Sequence, residues 1–302
     1  YILHEHLEDI NEPIYFHEFI ERAGRHQLQY LAEADISTML ASNLPPDVSD
    51  TLVRIAPDVI RQEQFMDFLR NRTFRQTLLV RNEHAILRTL TPERVTALWV
   101  SANLLPSNEN TPSSSQQSVF QGPKGGMVAS SNAVTKAAFQ ILAECWPGRL
   151  LFSDLLSKAK ERLGRSGNDH SEEHGLSAES ILASDILQCH LGGLVELHSC
   201  PAPFVAHAGV FPKASPLAQW QVGNKMDQLT TLSHQIVKVD EGVGKFLKLI
   251  DGTRNRAELC AEVAALNLQI APSPDNKENI ATIGEWVERI LIQLGRSALL
   301  LG

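Results

Sequence analysis

Apolar positions recur at helical spacing through the first hundred residues, with polar breaks between the runs. The apolar stripe within "YILHEHLEDI" predicts a first helix, which Pro13 interrupts. A second helix is predicted over 14–23, and the run 57–81 predicts a helix that gives way to a strand at "RQTLLVR". The run 28–34, "LQYLAEA", fits either a short strand or a helical turn, and periodicity alone cannot decide between them.

A change of composition marks residues 104–131. This segment, which includes "LLPSNENTPSSSQQSVFQGPKGG", is rich in Ser, Pro, Asn, Gln and Gly and has no periodic apolar positions. Such a composition buries too little apolar surface to repay the entropy lost on ordering. The segment is therefore predicted to be a linker or an exposed loop that follows a helical middle domain over 1–103.

Residues 132–205 predict a folded unit with the order helix, short strand, helix, helix and hairpin, which is the order of a winged helix. Residues 206–302 include "FPKASPLAQWQVGNK", which looks irregular, followed by a strand and three helices that predict a small helical or winged-helix-like domain. The predicted fold class is mainly α with short strands (α+β), in which a helical middle domain is followed by winged-helix-like domains.

Charge and cysteine content narrow the functional classes. The 302 residues carry 27 Lys and Arg against 35 Asp and Glu, a net charge of −8, which argues against nucleic acid as a partner. The four cysteines lack paired spacing, which predicts free thiols in a reducing, cytoplasmic compartment. No apolar run reaches the length of about 18 residues that spans a membrane, so no membrane association is predicted.

The opening stretch is crowded with histidines and carboxylates. His4 and Glu8 lie four residues apart, on one helix face, but the stretch matches no metal signature, so no metal site is predicted. His4-Glu5 and His17-Glu18 could act in acid–base chemistry, although such pairs are common on helix surfaces. Three aromatic residues follow, Tyr15, Phe16 and Phe19. They fit either a hydrophobic core or the lining of a site for a cationic amine.

One local basic group stands in "FLRNRTFRQTL". Arg70, Arg72 and Arg75 follow Glu63 and Asp67 at helical spacing, which indicates ion pairs along a solvated helix. The alternative is that these arginines contact an anion or a neighbouring domain. Elsewhere the sequence lacks both G-x-G-x-x-G and the P-loop motif, so no familiar cofactor cradle is present.

The run "YILHEHLEDINEPIYFHEFIERAGRHQLQYLAEADISTML" is followed by "EQFMDFLRNRTFRQTLLVR". In these two runs the first hundred residues resemble the methyltransferase regulatory domain family. The tail is similar to that of the longer members of this family, the bacterial and rickettsial protein-lysine methyltransferases. There the similarity rests on "NAVTKAAFQILAECWPGRLLFSDLLSKA" and "LSHQIVKVDEGVGKFLKLIDGTRNRAEL".

The resemblance implies a function for a longer parent protein. In this family a class I S-adenosylmethionine-dependent catalytic domain precedes the regulatory domain, and its Gly-rich cofactor loop is absent here. We therefore expect the natural N-terminus to lie upstream of Tyr1, with the catalytic domain as a partner in cis and S-adenosylmethionine bound by the full-length parent. The chain alone is expected to bind no cofactor and to have no catalytic residues. The residues expected to face the substrate, which is a protein in this family, are His4, Glu5, Asn11, Tyr15 and Phe16.

Two other functions stay open. The chain could be a stand-alone protein-interaction scaffold, or a transcription regulator that uses the unit at 132–205. Against the regulator, the presumed recognition helix carries Glu179, Asp185 and His190 but neither Lys nor Arg, so the phosphates of DNA would repel it.

Overall fold

The computed structural model describes residue 9 and residues 12–107, 117–123, 125–165, 172–173, 176–266 and 283–302. The chain divides into two compact units, which are residues 1–90 with 190–193 and residues 91–189 with 194–302. The helix predicted over the first ten residues lies outside the described residues, apart from residue 9.

The first unit combines helices with one antiparallel strand pair. Its described elements are α1 (Phe16–Gly24), β1 (Leu28–Glu33), 3-10 turns at Ile36–Met39 and Ala41–Asn43, α2 (Pro46–Ile55), α3 (Val59–Arg70) and β2 (Thr77–Arg81). Strand β1 pairs with β2 from Leu28 opposite Arg81 to Glu33 opposite Thr77, with an irregularity after Tyr30. The segment that periodicity left undecided is thus a strand, and the strand predicted at "RQTLLVR" is confirmed.

Local chemistry sets the ends of α3. The Asp58 carboxylate accepts the backbone N–H of Arg61 at 2.9 Å and caps the start of the helix. The helix ends at Asn71, whose left-handed backbone (φ 47°) turns the chain sharply, a conformation that Asn tolerates better than most residues. Residues beyond Asn71 therefore leave the helical path and fold back along it toward β2.

The second unit begins with two small antiparallel sheets. Its described elements up to residue 198 are a 3-10 turn at Pro92–Ala97, β3 (Trp99–Ser101), β4 (Leu105–Pro106), β5 (Ser118–Gln121), β6 (Met127–Ser130), α4 (Ala133–Cys145), β7 (Leu150–Leu151), α5 (Phe152–Arg165), β8 (Glu172–Glu173), β9 (Leu176–Ser177), α6 (Ala178–Leu191) and β10 (Glu196–His198). Strand β3 lies between β7 and β10, and β5 lies between β4 and β6.

The structure differs from two predictions in this region. Strands β4, β5 and β6 lie inside the predicted linker, because Val119 and Phe120 register against Ala129 and Val128, and Phe120 is buried against Phe139 of α4. The predicted hairpin ending at residue 205 is wrong, because β10 pairs with β3, which lies almost a hundred residues earlier in the chain. Helix α6 ends at Leu191, directly before Gly192-Gly193.

The C-terminal part packs helices around an apolar core. Its described elements are β11 (Lys213–Ala214), α7 (Pro216–Gly223), β12 (Gln228–Thr230), β13 (Ile236–Lys238), α8 (Glu241–Leu249), α9 (Arg256–Ala265), α10 (Ile283–Arg296) and β14 (Leu300–Leu301). The stretch predicted to be irregular contains β11 and the helix α7, with Pro216 at the first helical position. Helices with short strands throughout the described residues confirm the α+β fold class. None of the described helices has the length and apolarity needed to cross a bilayer.

Candidate functional site

Five charged side chains from three segments of the first unit form a largely buried group, which we call the charge cluster: Glu33, Glu63, Asp67, Arg72 and Arg75. Arg75 is at its centre. Its Nε and Nη2 donate to the two oxygens of Asp67 at 2.9 and 2.8 Å, and its Nη1 donates to Glu33 at 2.6 Å. A planar guanidinium that holds one carboxylate through two hydrogen bonds offsets much of the free-energy cost of burying the two charges.

Glu63 is the least satisfied member of the charge cluster. Its Oε2 accepts from Arg75 at 3.0 Å, whereas Oε1 is buried without a hydrogen-bond partner among the described residues. Burial raises the pKa of Glu63, and the nearby Arg75 and Arg72 oppose that rise without cancelling it. The site therefore favours the protonated form of this carboxyl more strongly than water does.

The three arginines singled out in the sequence all turn inward. Arg70 donates to the Thr38 carbonyl and Arg72 donates to the same carbonyl at 2.9 Å, so both hold the 3-10 turn that follows β1. Arg72 and Arg75 form the predicted ion pairs with Asp67 of α3, but both arginines lie beyond the helix end, and each is less than one-sixth exposed. The role of the three arginines toward an anion or another domain stays a prediction.

The charge cluster also fixes helix α1. The Arg75 guanidinium carbon lies 3.7 Å from the centre of the Phe16 ring, a close cation–π contact. The Phe16 ring also contacts the Tyr30 ring edge-to-face, with 5.0 Å between the ring centres. Phe16 is only 3% exposed, so it anchors the helix in the core. Tyr15, one residue earlier, is 55% exposed.

Four rings line the outer side of this unit, and we call them the aromatic ridge: Tyr15, His17, Phe65 and Phe68. Tyr15 stacks on His17 at 5.8 Å and meets Phe68 edge-to-face at 5.9 Å, and Phe68 meets Phe65 at 6.4 Å. His17 is held in place by Gln64, whose side-chain oxygen lies 3.2 Å from the His17 backbone nitrogen and 3.1 Å from Nδ1. Exposed rings in continuous contact on one face are typical of a binding surface.

An open cleft of about 370 Å³ lies beside α1. Its apolar walls come from Ile14, Phe19 and Phe74, and Asp67, Arg72 and Arg75 of the charge cluster lie at its polar side. This size is at the lower end of the range of small-ligand sites, about 300–1,000 Å³. The cleft can accept a single long side chain or a short stretch of peptide.

The structure brings together only part of the predicted substrate-facing set. His4, Glu5 and Asn11 lie outside the described residues. Tyr15 is on the aromatic ridge, whereas Phe16 points into the core and reaches only the edge of the cleft. Sequence reasoning missed Glu33, Gln64 and Phe68. Of these, Phe68 carried a signal, because it follows Phe65 by three residues on one helix.

A Ser-His-Glu group in the second unit is unsuited to nucleophilic catalysis. The Ser101 hydroxyl lies 2.9 Å from Nε2 of His198, and Glu196 lies 3.5 Å from that same nitrogen. In a hydrolase triad the carboxylate binds the other ring nitrogen and sets the tautomer. Here Glu196 competes with the serine for one nitrogen. The contact with His198 lowers the pKa of Glu196 despite its partial burial.

Among the described residues, the connection between β5 and β6 lacks the geometry of a nucleotide-binding loop. The Gly-rich stretch "QGPKGG" lies at the connection between β5 and β6, where the Gly122 N–H donates to the Gly126 carbonyl at 2.8 Å. A strand follows it, so it lacks the helix N-terminus of a nucleotide loop. Nor does any group of three or more His, Cys, Asp or Glu side chains in the described residues converge as a metal ion requires.

Comparison with known families identifies both ends of the chain. Residues 1–81 match the model described as a predicted methyltransferase regulatory domain, and residues 211–299 match the PKMT C-terminal winged helix domain. The predicted resemblance to the methyltransferase regulatory domain family is therefore confirmed, as is the winged-helix character of the C-terminal part.

Particular relatives come from rickettsiae. An uncharacterized protein of Rickettsia prowazekii is 34% identical over 172 residues, which are 55% of this chain and 31% of that protein. The solved structure of PKMT2 from Rickettsia typhi in complex with AdoHcy matches all of this chain and 61% of its own, with a TM-score of 0.77 and 24% identity. A second structure of PKMT2 gives a TM-score of 0.79 at 23% identity. At these identities the likeness shows the fold, and the chain spans less than two thirds of each of these relatives.

Proposed function

We propose that this chain is the regulatory and substrate-recognition region of a class I S-adenosylmethionine-dependent methyltransferase of the protein-lysine type. The observation that carries the proposal is the pair of family matches, a methyltransferase regulatory domain at one end and a PKMT winged helix domain at the other. The cofactor and the methyl-transfer step belong to a catalytic domain in cis. This chain supplies recognition and is not catalytic on its own.

The substrate side is the N-terminal end of α1. The charge cluster and Phe16 fix this helix, while Tyr15 stays exposed and contacts Phe68 on the aromatic ridge. Methyl transfer requires the acceptor to be held in line with the sulfonium in a shielded pocket, so a rigid support for the substrate contributes directly to the rate. We assign substrate contact to Tyr15 and, with it, to His4, Glu5 and Asn11, with Phe16 as the residue that positions helix α1.

The test uses a protein that joins the reading frame upstream of Tyr1 to these 302 residues. With S-adenosylmethionine carrying a labelled methyl group and lysine-rich protein acceptors, we expect transfer by the longer protein and none by the 302 residues alone. Tyr15→Ala should lower the rate about tenfold, which is about 1.4 kcal/mol of transition-state stabilisation. Leu87→Ala, at an exposed position elsewhere in the unit, is the control and should change nothing.

Three results would contradict the proposal. An upstream frame without a Gly-rich strand–loop–helix would leave the chain as an interaction scaffold. Methyl transfer by the 302 residues alone would show that they hold a cofactor site after all. Unchanged transfer to every acceptor after substitution of Tyr15, His4 and Glu5 would remove the substrate-recognition role. Salt-dependent retention on DNA, which we do not expect, would support a regulator instead.

A further inference from the structure

The aromatic ridge exposes more ring surface than packing requires. Tyr15 is 55% exposed and Phe68 is 58% exposed, although their rings touch each other and Phe65. The planes of Tyr15 and Phe68 meet at 75°, and those of Phe65 and Phe68 meet at 70°. Rings at such angles form corners in which more than one ring can contact a single cation.

The hydrogen bonds behind the ridge hold its rings in position. Gln64 accepts from both the backbone and the ring of His17, and His17 stacks on Tyr15 with an angle of only 15° between the rings. Tyr15 is itself fixed at the start of α1, where its backbone N–H donates to Glu18 at 3.4 Å. A surface that is ordered before it binds loses less entropy on binding.

Most of the described carboxylates of α1 and α3 near the aromatic ridge are already paired, which is unusual for a site that binds a cation. The two carboxylates in the middle of α3, Glu63 and Asp67, are both directed into the charge cluster and bonded to Arg75. Asp58, at the start of that helix, is paired with Arg61 at 3.4 Å. On α1, Glu21 is paired with Arg25, and the Glu18 carboxylate accepts the backbone N–H of Tyr15, which places one acid next to the rings. A primary ammonium would find few acceptors here for its three N–H groups.

The distribution of lysines along the chain gives an independent observation. All ten lysines lie at position 124 or later, whereas ten arginines lie before it. Arginine alone therefore supplies the positive charge of the regulatory domain, including exposed positions such as Arg25 and Arg61, where lysine would serve equally well. A region that handles the lysines of another protein avoids competing with its own side chains when it has none.

We propose that the aromatic ridge binds a methylated lysine side chain of a partner protein, so that the region retains the product of methyl transfer. A trimethylammonium group has no N–H to satisfy, carries its charge on methyl groups and gains from contact with ring faces. It therefore suits a corner of rings with one nearby acid better than an unmethylated lysine does. The choice of ligand rests on the proposed function, but binding to the ridge needs no cofactor and no transfer reaction.

The test is peptide binding to the 302-residue chain, measured by fluorescence polarisation without S-adenosylmethionine. One peptide is made with lysine, trimethyl-lysine or the neutral isostere in which carbon replaces the quaternary nitrogen. We expect the trimethylated peptide to bind about five- to tenfold more tightly than the other two. Equal binding of the charged and neutral isosteres would overturn the proposal, because the ridge would then be a simple apolar surface.

Substitutions locate the binding site. Phe68→Ala and Tyr15→Ala should each abolish the preference for the methylated peptide, whereas Tyr15→Phe should keep it. Trp220→Ala removes an equally exposed ring in the other unit and serves as the matched control. Sedimentation of the same variants tests another occupant. If Phe68→Ala dissociates a dimer and the methyl group makes no difference, the ridge binds a second copy and the proposal is wrong.

The outcomes separate this proposal from the proposed function. Methyl-selective binding by the 302 residues, with no transfer by the longer protein, would leave a reader of methylated lysine without an attached enzyme. Transfer by the longer protein without methyl-selective binding by the 302 residues would preserve the proposed function and remove the product-binding role of the ridge.

Discussion

The interior of the first unit contains buried ion pairs, whereas the interior of the C-terminal part is apolar. Around α3 of the first, the apolar cluster formed by described residues consists of Leu52, Ala56 and Met66, and the charge cluster lies alongside. In the second, seventeen buried apolar residues form one cluster among the described residues, and Phe246 meets Trp286 edge-to-face at 5.3 Å. There the ion pairs, such as Arg256 with Glu288, are at the surface.

The difference separates two ways of specifying a structure. Apolar burial is non-directional and tolerates many packings, so it contributes stability with little geometric precision. Buried guanidinium–carboxylate bonds contribute little net stability, because desolvation offsets their attraction, but they are lost if any partner shifts. The first unit thus depends on directional bonds between buried charged groups, and these bonds keep α1 and its exposed Tyr15 in place.

The largest expected effect comes from Arg75→Met. This change leaves the carboxylates of Glu33, Glu63 and Asp67 without their central partner, and we expect a loss of about 3–5 kcal/mol in the stability of the first unit. Hydrogen exchange should show lost protection in β1 and β2 and unchanged protection in α8 and α10. The control, Lys245→Met, removes an exposed ion pair with Glu241 in the C-terminal part and should cost far less stability than Arg75→Met. Equal effects of the two changes would refute the contrast.

Leu259→Ala tests the apolar side of the comparison. Leu259 of α9 is fully buried in the C-terminal core, and the cavity should cost about 3 kcal/mol, measured by urea unfolding. The loss should be insensitive to salt and to pH. Leu217→Ala, at an exposed position of α7, should change stability by less than about 0.5 kcal/mol. A loss for Leu259→Ala that depends on pH would show that this core is coupled to titrating groups.

The smallest expected effect concerns how the free energy of unfolding changes with pH. Because burial raises the pKa of Glu63, the folded chain binds this proton more tightly than the unfolded chain does. The contribution of Glu63 to the free energy of unfolding should therefore fall as pH rises from its ordinary range through the raised value. Glu63→Gln removes the titration and should flatten that part of the profile, measured by denaturant midpoints at successive pH values. A slope that Glu63→Gln leaves unchanged would assign the titration to another group.

Local patterns predicted local structure well and distant pairing poorly. The three helices predicted over 132–205 are present as α4, α5 and α6. The pairing of β10 with β3 could not be predicted, since three-residue strands so far apart carry no joint signal. Helix α7 was missed because it is only eight residues long, with Trp220 exposed and Gln221 buried, against the usual pattern.

The candidate site shows the same limit. Glu63, Asp67, Arg72 and Arg75 follow helical spacing in the sequence, and a continuous helix would place them in solvent. The left-handed backbone of Asn71 breaks that helix and directs the two arginines back toward the carboxylates. Glu33 enters the group from another strand altogether. A single residue at a helix end therefore decided whether these charges lie on a surface or in an interior.

The contact between Arg75 and Phe16 couples the charge cluster to the position of α1. Arg75 joins carboxylates of two elements and at the same time covers the ring that anchors α1. A change in charge at Glu63 or Asp67 thus acts on Arg75, and through it on the helix that carries Tyr15. The Arg75 guanidinium is therefore the group through which the charges of the cluster and the position of the exposed Tyr15 depend on each other.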